Sequence, residues 1–190
     1  IEIFEQHSRI DLIAVILSPE DSVFQTALSE KVRVFRVGGA SRAETVRNGV
    51  STLLEQGLAE AQDNILVHDA ARCCLPAEAL TRLLDEAGEN DEGGILAIPV
   101  ADTLKRADGS HHINETVARA GLWQAQTPQL FQTALLNRAL SVDDLSEITD
   151  EASAVEKLGI RPRLVQGDTR NLKLTLPQDE YIVRLLLKAV

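Results

Sequence analysis

The chain has no methionine at all, one tryptophan, one tyrosine and two cysteines in 190 residues, and aromatic residues make up only 3% of it. Any core must therefore be built from aliphatic side chains. Cys73 and Cys74 are sequence neighbours. Adjacent side chains diverge in an extended or turn backbone, so a disulfide framework is excluded and two reduced thiols are expected. No apolar run approaches the roughly 18 residues a membrane helix needs, and the opening IEIFEQHSRI lacks a signal-peptide pattern. A cytoplasmic protein with no membrane partner is the expectation. Positive charge is also short: 19 Lys and Arg stand against 29 Asp and Glu, a net charge of −10. That balance repels a polyanion, so nucleic acid is not an expected partner and any anionic ligand needs a local basic cluster. No Cys or His pair has zinc-ligand spacing, no G-x-S-x-G sets up a serine nucleophile, and no G-x-G-x-x-G follows a strand-like run. With Ile at position 1 and Met absent throughout, the sequence reads as a fragment or a subset of a longer chain.

What is present is 44% hydrophobic and 25% charged, which suits one globular domain over residues 1–190. Short runs rich in Ile and Val, at residues 12–17, 32–37, 65–67, 95–100 and 163–165, predict strands, the first of them buried on both faces. Between several of them lie amphipathic segments. Residues 44–58 carry Val46, Val50, Leu53, Leu54 and Leu58, and residues 77–87 follow Pro76 in a first-turn position. Thr149-Asp150-Glu151 predicts the cap of a helix over 152–158 that Gly159 stops, Pro177 opens a last helix, and residues 1–9 look helical. This alternation predicts an α/β fold with a mostly parallel, Rossmann-like sheet flanked by helices. Residues 101–126 break the pattern. They are polar, with Asp108-Gly109 as a hairpin signal, and predict a protruding β-arm that packs on a second subunit.

Three places carry candidate chemistry. His68-Asp69-Ala70-Ala71-Arg72 ends a strand, where ligands bind in open α/β sheets. A structural Asp–Arg pair at a strand end is the alternative there. Gly38-Gly39, followed by Arg42 and Thr45, forms a strand-to-helix turn able to offer N–H groups to a ligand, or a plain turn. Asn171-Leu172-Lys173-Leu174-Thr175 places Lys173 in an alternating strand, where a lone Lys is ordinarily a solvated face residue.

HDAAR at residues 68–72, PVADTLKR at 99–106, GLWQAQTPQLF at 121–131, TDEASA at 149–154 and NLKLT at 171–175 stand in order and in register. Together they make the chain similar, over nearly all its length, to the 2-C-methyl-D-erythritol 4-phosphate cytidylyltransferases. The resemblance implies a nucleotidyltransferase that joins CTP to methylerythritol phosphate and releases pyrophosphate with Mg²⁺. It implies that Lys173 and Arg119 place the attacking phosphate, that Asp69, Ala70, Arg72, Thr103 and Thr127 line its pocket, and that Gly39, Ala40, Arg42 and Thr45 meet the nucleotide. No protein metal ligand is implied. Family members commonly have Asp where this chain has Ala40. Arg119 and Thr103 fall in the 101–126 arm, which in the family crosses to the other half of a homodimer. The family's Gly-rich N-terminal loop and its Pro-Lys-Gln segment have no match in these residues, so a missing N-terminal segment is the expectation. A ribitol 5-phosphate cytidylyltransferase is the nearest rival, against which Trp123, Lys105 and the run at 149–153 argue. A non-catalytic dimeric relative that only binds ligand is the other alternative, against which the retained Asp69, Arg72, Arg119, Thr127 and Lys173 argue.

Overall fold

The computed structural model describes residues 1–25 and 29–188. The chain begins with one helical turn, α1 (Glu2–Glu5), then strands β1 (Ile13–Ile16) and β2 (Val32–Phe35), helix α2 (Arg42–Glu55) and strand β3 (Asn64–Val67). Helix α3 (Ala77–Ala87) and strand β4 (Gly94–Pro99) precede a hairpin of β5 (Leu104–Ala107) and β6 (Ile113–Val117). Strand β7 (Trp123–Gln132), helices α4 (Thr133–Leu140) and α5 (Glu151–Glu156), strand β8 (Arg163–Gln166) and helix α6 (Asp179–Lys188) complete the order.

The main sheet runs β3-β7-β4-β8. Strands β4 and β8 pair in parallel, and β7 runs against both β3 and β4, so β7 alone opposes the common direction. β1 and β2 form a separate parallel pair. Because side chains alternate across a strand, each core strand feeds two apolar layers. On one face Leu96, Leu130 and Val165 pack with Leu80, Leu83 and Leu84 of α3. On the other, Ile95 and Phe131 pack with Leu136 and Leu140 of α4, Val155 of α5 and Val50 of α2. Burying each such Leu or Phe contributes about 1.5–3 kcal/mol. Gly93, at φ 69°, lets the chain enter β4 beside Phe131 and the Leu130 carbonyl, which a Cβ there would strike.

The α/β architecture with a mostly parallel sheet is as the sequence predicts, and its helix signals recur in real caps. Ser41 accepts from the Glu44 N–H at 3.1 Å to start α2, and Asp150 and Ser153 form a reciprocal capping box on α5. Pro76 is the cap of α3 rather than its first turn, since its ψ of 144° is extended. Other expectations need correction. The helix over residues 1–9 is a single turn, because the Lys31 ammonium donates to the Glu5, His7 and Ile10 carbonyls and replaces the bonds a longer helix would make. β1 is half-exposed along its length rather than buried on both faces. An open cleft of about 1010 Å³ runs along β1 and β3, which do not pair with each other. Residues 171–175 are not a strand; the Leu174 N–H donates to the Ala71 carbonyl at 2.8 Å and the segment lies as an irregular strap over the end of β3.

Candidate active site

Strand β3 ends at Val67 and delivers His68 and Asp69 to the C-terminal edge of the sheet. The strap from Asn171 and the start of α2 converge on the same edge. Gly38 brings the second turn in: its N–H donates to the Leu17 carbonyl at 2.8 Å, and a Cβ would lie 2.8 Å from that oxygen. The Ser41 cap then makes Arg42 the first residue of α2, beside Asp69.

Four charged side chains alternate in sign there. Lys173 Nζ donates to Asp69 Oδ2 at 2.9 Å, and Arg42 Nε donates to Asp69 Oδ1 at 2.8 Å. The two ends of the same guanidinium hold Glu151 at 2.7 and 3.0 Å. The two ends differ most in exposure: the Lys173 side chain is 44% exposed and Glu151 1%, with Asp69 at 13% and Arg42 at 32% between them. Burial acts to raise the Asp69 carboxyl, but Lys173 and Arg42 outweigh it and hold the group below the ordinary aspartate range. Burial pushes the Glu151 carboxyl up, with Arg42 opposing. Burial would lower Arg42, yet Glu151 and Asp69 raise it, so its charge is permanent.

A second network supports Asp69 from behind. The Asp69 N–H donates to Thr127 Oγ1 at 3.0 Å, and that hydroxyl lies 3.1 Å from His68 Nδ1. His68 Nε2 lies 2.9 Å from the Arg72 carbonyl, which can only accept, so the ring proton sits on Nε2 and Nδ1 takes the Thr127 hydroxyl hydrogen. Burial lowers the His68 pKa, which keeps the ring in this neutral form. Arg72 itself donates to the Asn171 carbonyl at 2.6 Å and to the Ala125 carbonyl at 3.3 Å. Its buried Nε has no partner among the described residues. Ala70 lines the cleft beside Asp69.

The Gly38-Gly39 turn is less free than its composition suggests. The Gly39 N–H donates to Thr45 Oγ1 at 3.0 Å, the Ala40 N–H to Glu44 at 2.8 Å, and the Thr45 hydroxyl to the Ser41 carbonyl at 2.9 Å. A ligand reading that turn has to replace these bonds. Thr103 and Arg119 are exposed and flank the two strands of the hairpin, with no hydrogen bond to the cluster among the described residues. Nor do three or more His, Cys, Asp or Glu side chains gather to hold a metal among the described residues. Cys73 and Cys74 are free thiols, and among the described residues no helix is long and apolar enough to cross a membrane.

Glu151 and the buried amides Gln126, Gln129 and Asn171 went unmarked by sequence reasoning as site residues. Gln129 clamps α5 to β7, accepting from the Ala152 N–H and donating to Asp150, both at 2.9 Å. Asn171 donates to the Thr127 carbonyl at 2.8 Å and so fixes the strap that carries Lys173. The available signal was the position of Glu151 beside the α5 cap, but a carboxylate there is ordinary at any helix start.

Comparison with known proteins bears on the family and the fold. The family model described as 2-C-methyl-D-erythritol 4-phosphate cytidylyltransferase matches residues 1–189. A protein of that name from Neisseria meningitidis serogroup C is 69% identical over 191 residues, covering 99% of this chain and 82% of its own length. Its namesake from Neisseria gonorrhoeae (strain NCCP11945) is 68% identical with the same coverage. A crystal structure of 4-diphosphocytidyl-2C-methyl-D-erythritol synthase superposes with a TM-score of 0.91 at 67% identity, over 98% of this chain and 86% of that one. The chain belongs to the 2-C-methyl-D-erythritol 4-phosphate cytidylyltransferase family.

Proposed function

We propose that this enzyme transfers a cytidylyl group from CTP to 2-C-methyl-D-erythritol 4-phosphate and releases pyrophosphate. The observation that carries the reading is the convergence of Arg42, Asp69, Thr127 and Lys173, far apart in sequence, on one strand end in a chain of this family. The nucleophile is a phosphate monoester whose second pKa is near 6, so it is largely dianionic at neutral pH and needs no general base. That matches a site whose one histidine is partly buried, neutral and fully hydrogen-bonded. The task left to the protein is to bring two anions together in line. Lys173, the exposed end of the ionic chain, meets the methylerythritol phosphate, with Asp69, Ala70, Arg72 and Thr127 around it. Arg42 and Thr45 line the cleft, and with Gly39 and Ala40 of the preceding turn they are given to the nucleotide.

Arg119 and Thr103 complete the phosphate pocket across a homodimer. A two-stranded ribbon is marginal in water on its own, and this one exposes Ile113 at 67%, so the 101–126 arm is given to the second subunit. One boundary of that arm moves: Trp123, Gln124, Ala125 and Gln126 already belong to β7 of the main sheet. Mg²⁺ bound with CTP would supply positive charge to offset the triphosphate, while both Asp69 oxygens are already engaged by Arg42 and Lys173. The two free thiols fit a reducing compartment, the cytoplasm. Nothing in the site favours ribitol 5-phosphate or a merely binding role.

Replacing Lys173 by Ala in the full-length enzyme tests the reading. kcat/KM for methylerythritol phosphate should fall by roughly 10² or more with KM for CTP little changed. A variant as active as the parent would remove Lys173 from the site.

A further inference from the structure

We propose that Glu151 is a positioning residue: by engaging both ends of the Arg42 guanidinium it leaves Asp69 enough negative charge to hold and aim Lys173. The inference rests on the proposed phosphate-placing role of Lys173. The order of contacts is Lys173, Asp69, Arg42, Glu151, with signs alternating and each carboxylate in contact with Arg42. Asp69 has two cationic partners, one on each oxygen. How strongly it binds one depends on how far the other already neutralises it. Arg42 is in turn divided between two acids, and it gives two of its three contacts to Glu151. The farther its charge is directed toward Glu151, the more of the Asp69 charge remains for the ammonium.

The surroundings of Glu151 fit a fixed reference point. Its side chain is 1% exposed, and α5 is clamped by the Asp150–Ser153 capping box and by Gln129 from β7. The dry end of the ionic chain is therefore rigid, and the wet end, Lys173, is where an arriving phosphate is met. A buried carboxylate that served stability alone would need one good partner; it would have no need of a partner shared with a second acid at the mouth of the cleft. The four charges sum to zero. Removing the one on Glu151 makes the group net positive by one, which favours binding of a phosphate dianion while loosening Lys173 from Asp69. Binding and turnover should thus move in opposite directions.

The test is steady-state kinetics of the full-length enzyme with methylerythritol phosphate varied at saturating CTP, for the parent, Glu151→Asp and Glu151→Gln, with thermal midpoints measured alongside. Glu151→Gln should lower kcat roughly tenfold or more while KM for methylerythritol phosphate is unchanged or falls. Glu151→Asp, which keeps the charge but shortens its reach, should lie between parent and Gln in kcat, again without a raised KM. If the Gln variant does not fold, the Asp variant alone carries the test. A raised KM, a parent-like kcat, or losses in kcat that merely track the folded fraction would each overturn the inference. A parent enzyme that fails to convert methylerythritol phosphate would instead overturn the functional reading on which it rests.

Discussion

The main sheet and the β5–β6 hairpin are both built from extended chain, yet they are held in place by different physics. In the sheet, β4 and β7 are covered on both sides, and Leu96, Leu130 and Phe131 are fully buried. In the hairpin, cross-strand pairs such as Arg106–Glu115 and Lys105–Thr116 are exposed, with no covering layer among the described residues. The sheet is stable because its own chain removes it from water; the hairpin has regular bonding without burial. The tight turn of the hairpin makes the same point. Asp108 accepts from Ser110 and His112, and it is His111, not Gly109, that takes the left-handed conformation, so local hydrogen bonds alone shape the tip.

Cutting into the sheet should give the largest effect. Phe131→Ala removes a fully buried ring from the layer against α4 and α5, and should cost about 3–5 kcal/mol of unfolding free energy. Ile113→Ala on the hairpin, 67% exposed in the single chain, should leave the unfolding free energy of the monomer within about 0.5 kcal/mol of the parent. Urea titrations of the two variants check the contrast. Equal losses would mean that the hairpin is part of the core.

The same contrast explains what could be read in advance. Strands with Ile and Val runs and helices with clean caps were legible because their partners are neighbours or water. β7 was not, although it is the longest strand, because residues up to Gln126 were given to the polar arm and Thr127-Pro128-Gln129 carries no strand pattern. Those polar groups are satisfied from far along the chain: Gln126 donates to the Asp168 carbonyl, Gln129 to Asp150. α4 follows β7 directly and was lost with it. Asp69, Arg72, Thr127 and Lys173 were marked as candidates through motifs, whereas the link from Arg42 to Glu151 spans 109 residues and leaves no local trace. Lys173 was placed in a strand because Leu172 and Leu174 alternate around it; its segment instead hydrogen-bonds to Ala71, with Asn171 buried beneath.

The proposal that a second subunit covers the hairpin can be tested directly. Ile113→Asp puts a charge on the apolar patch proposed to meet the second subunit. It should raise the dimer dissociation constant by about 10², near 2.7 kcal/mol, seen by sedimentation at graded concentrations. kcat/KM for methylerythritol phosphate should fall with the dimer fraction if Arg119 and Thr103 act across the interface as proposed. A monomer that retains full activity would break the proposal that the arm completes the site.

The smallest effect separates the two regions by their ion pairs and has a defined sign with pH. Arg106–Glu115 on the hairpin is exposed at 62% and 54%, so Glu115→Gln should change stability little at any pH. Asp69 is 13% exposed and holds two cations, and replacing it by Asn should cost about 1–2 kcal/mol at neutral pH. An ordinary aspartate titrates at 3.8, and Lys173 and Arg42 set the folded value below that. For a depressed acid the stabilisation is complete above the unfolded pKa and disappears as pH falls through the folded one. The gap in unfolding free energy between parent and Asp69→Asn should thus be constant from neutral pH down to about 5, then shrink as pH falls below 3.8. The raised Glu151 carboxyl has the opposite sign, and because it shares Arg42 with Asp69 its titration also changes in the variant, so the pair is compared in a Glu151→Gln background as well to remove it. Urea midpoints for the pair across this range decide the matter: a gap that stays constant in acid would show that Asp69 stabilises the fold through shape and hydrogen bonding rather than through its charge.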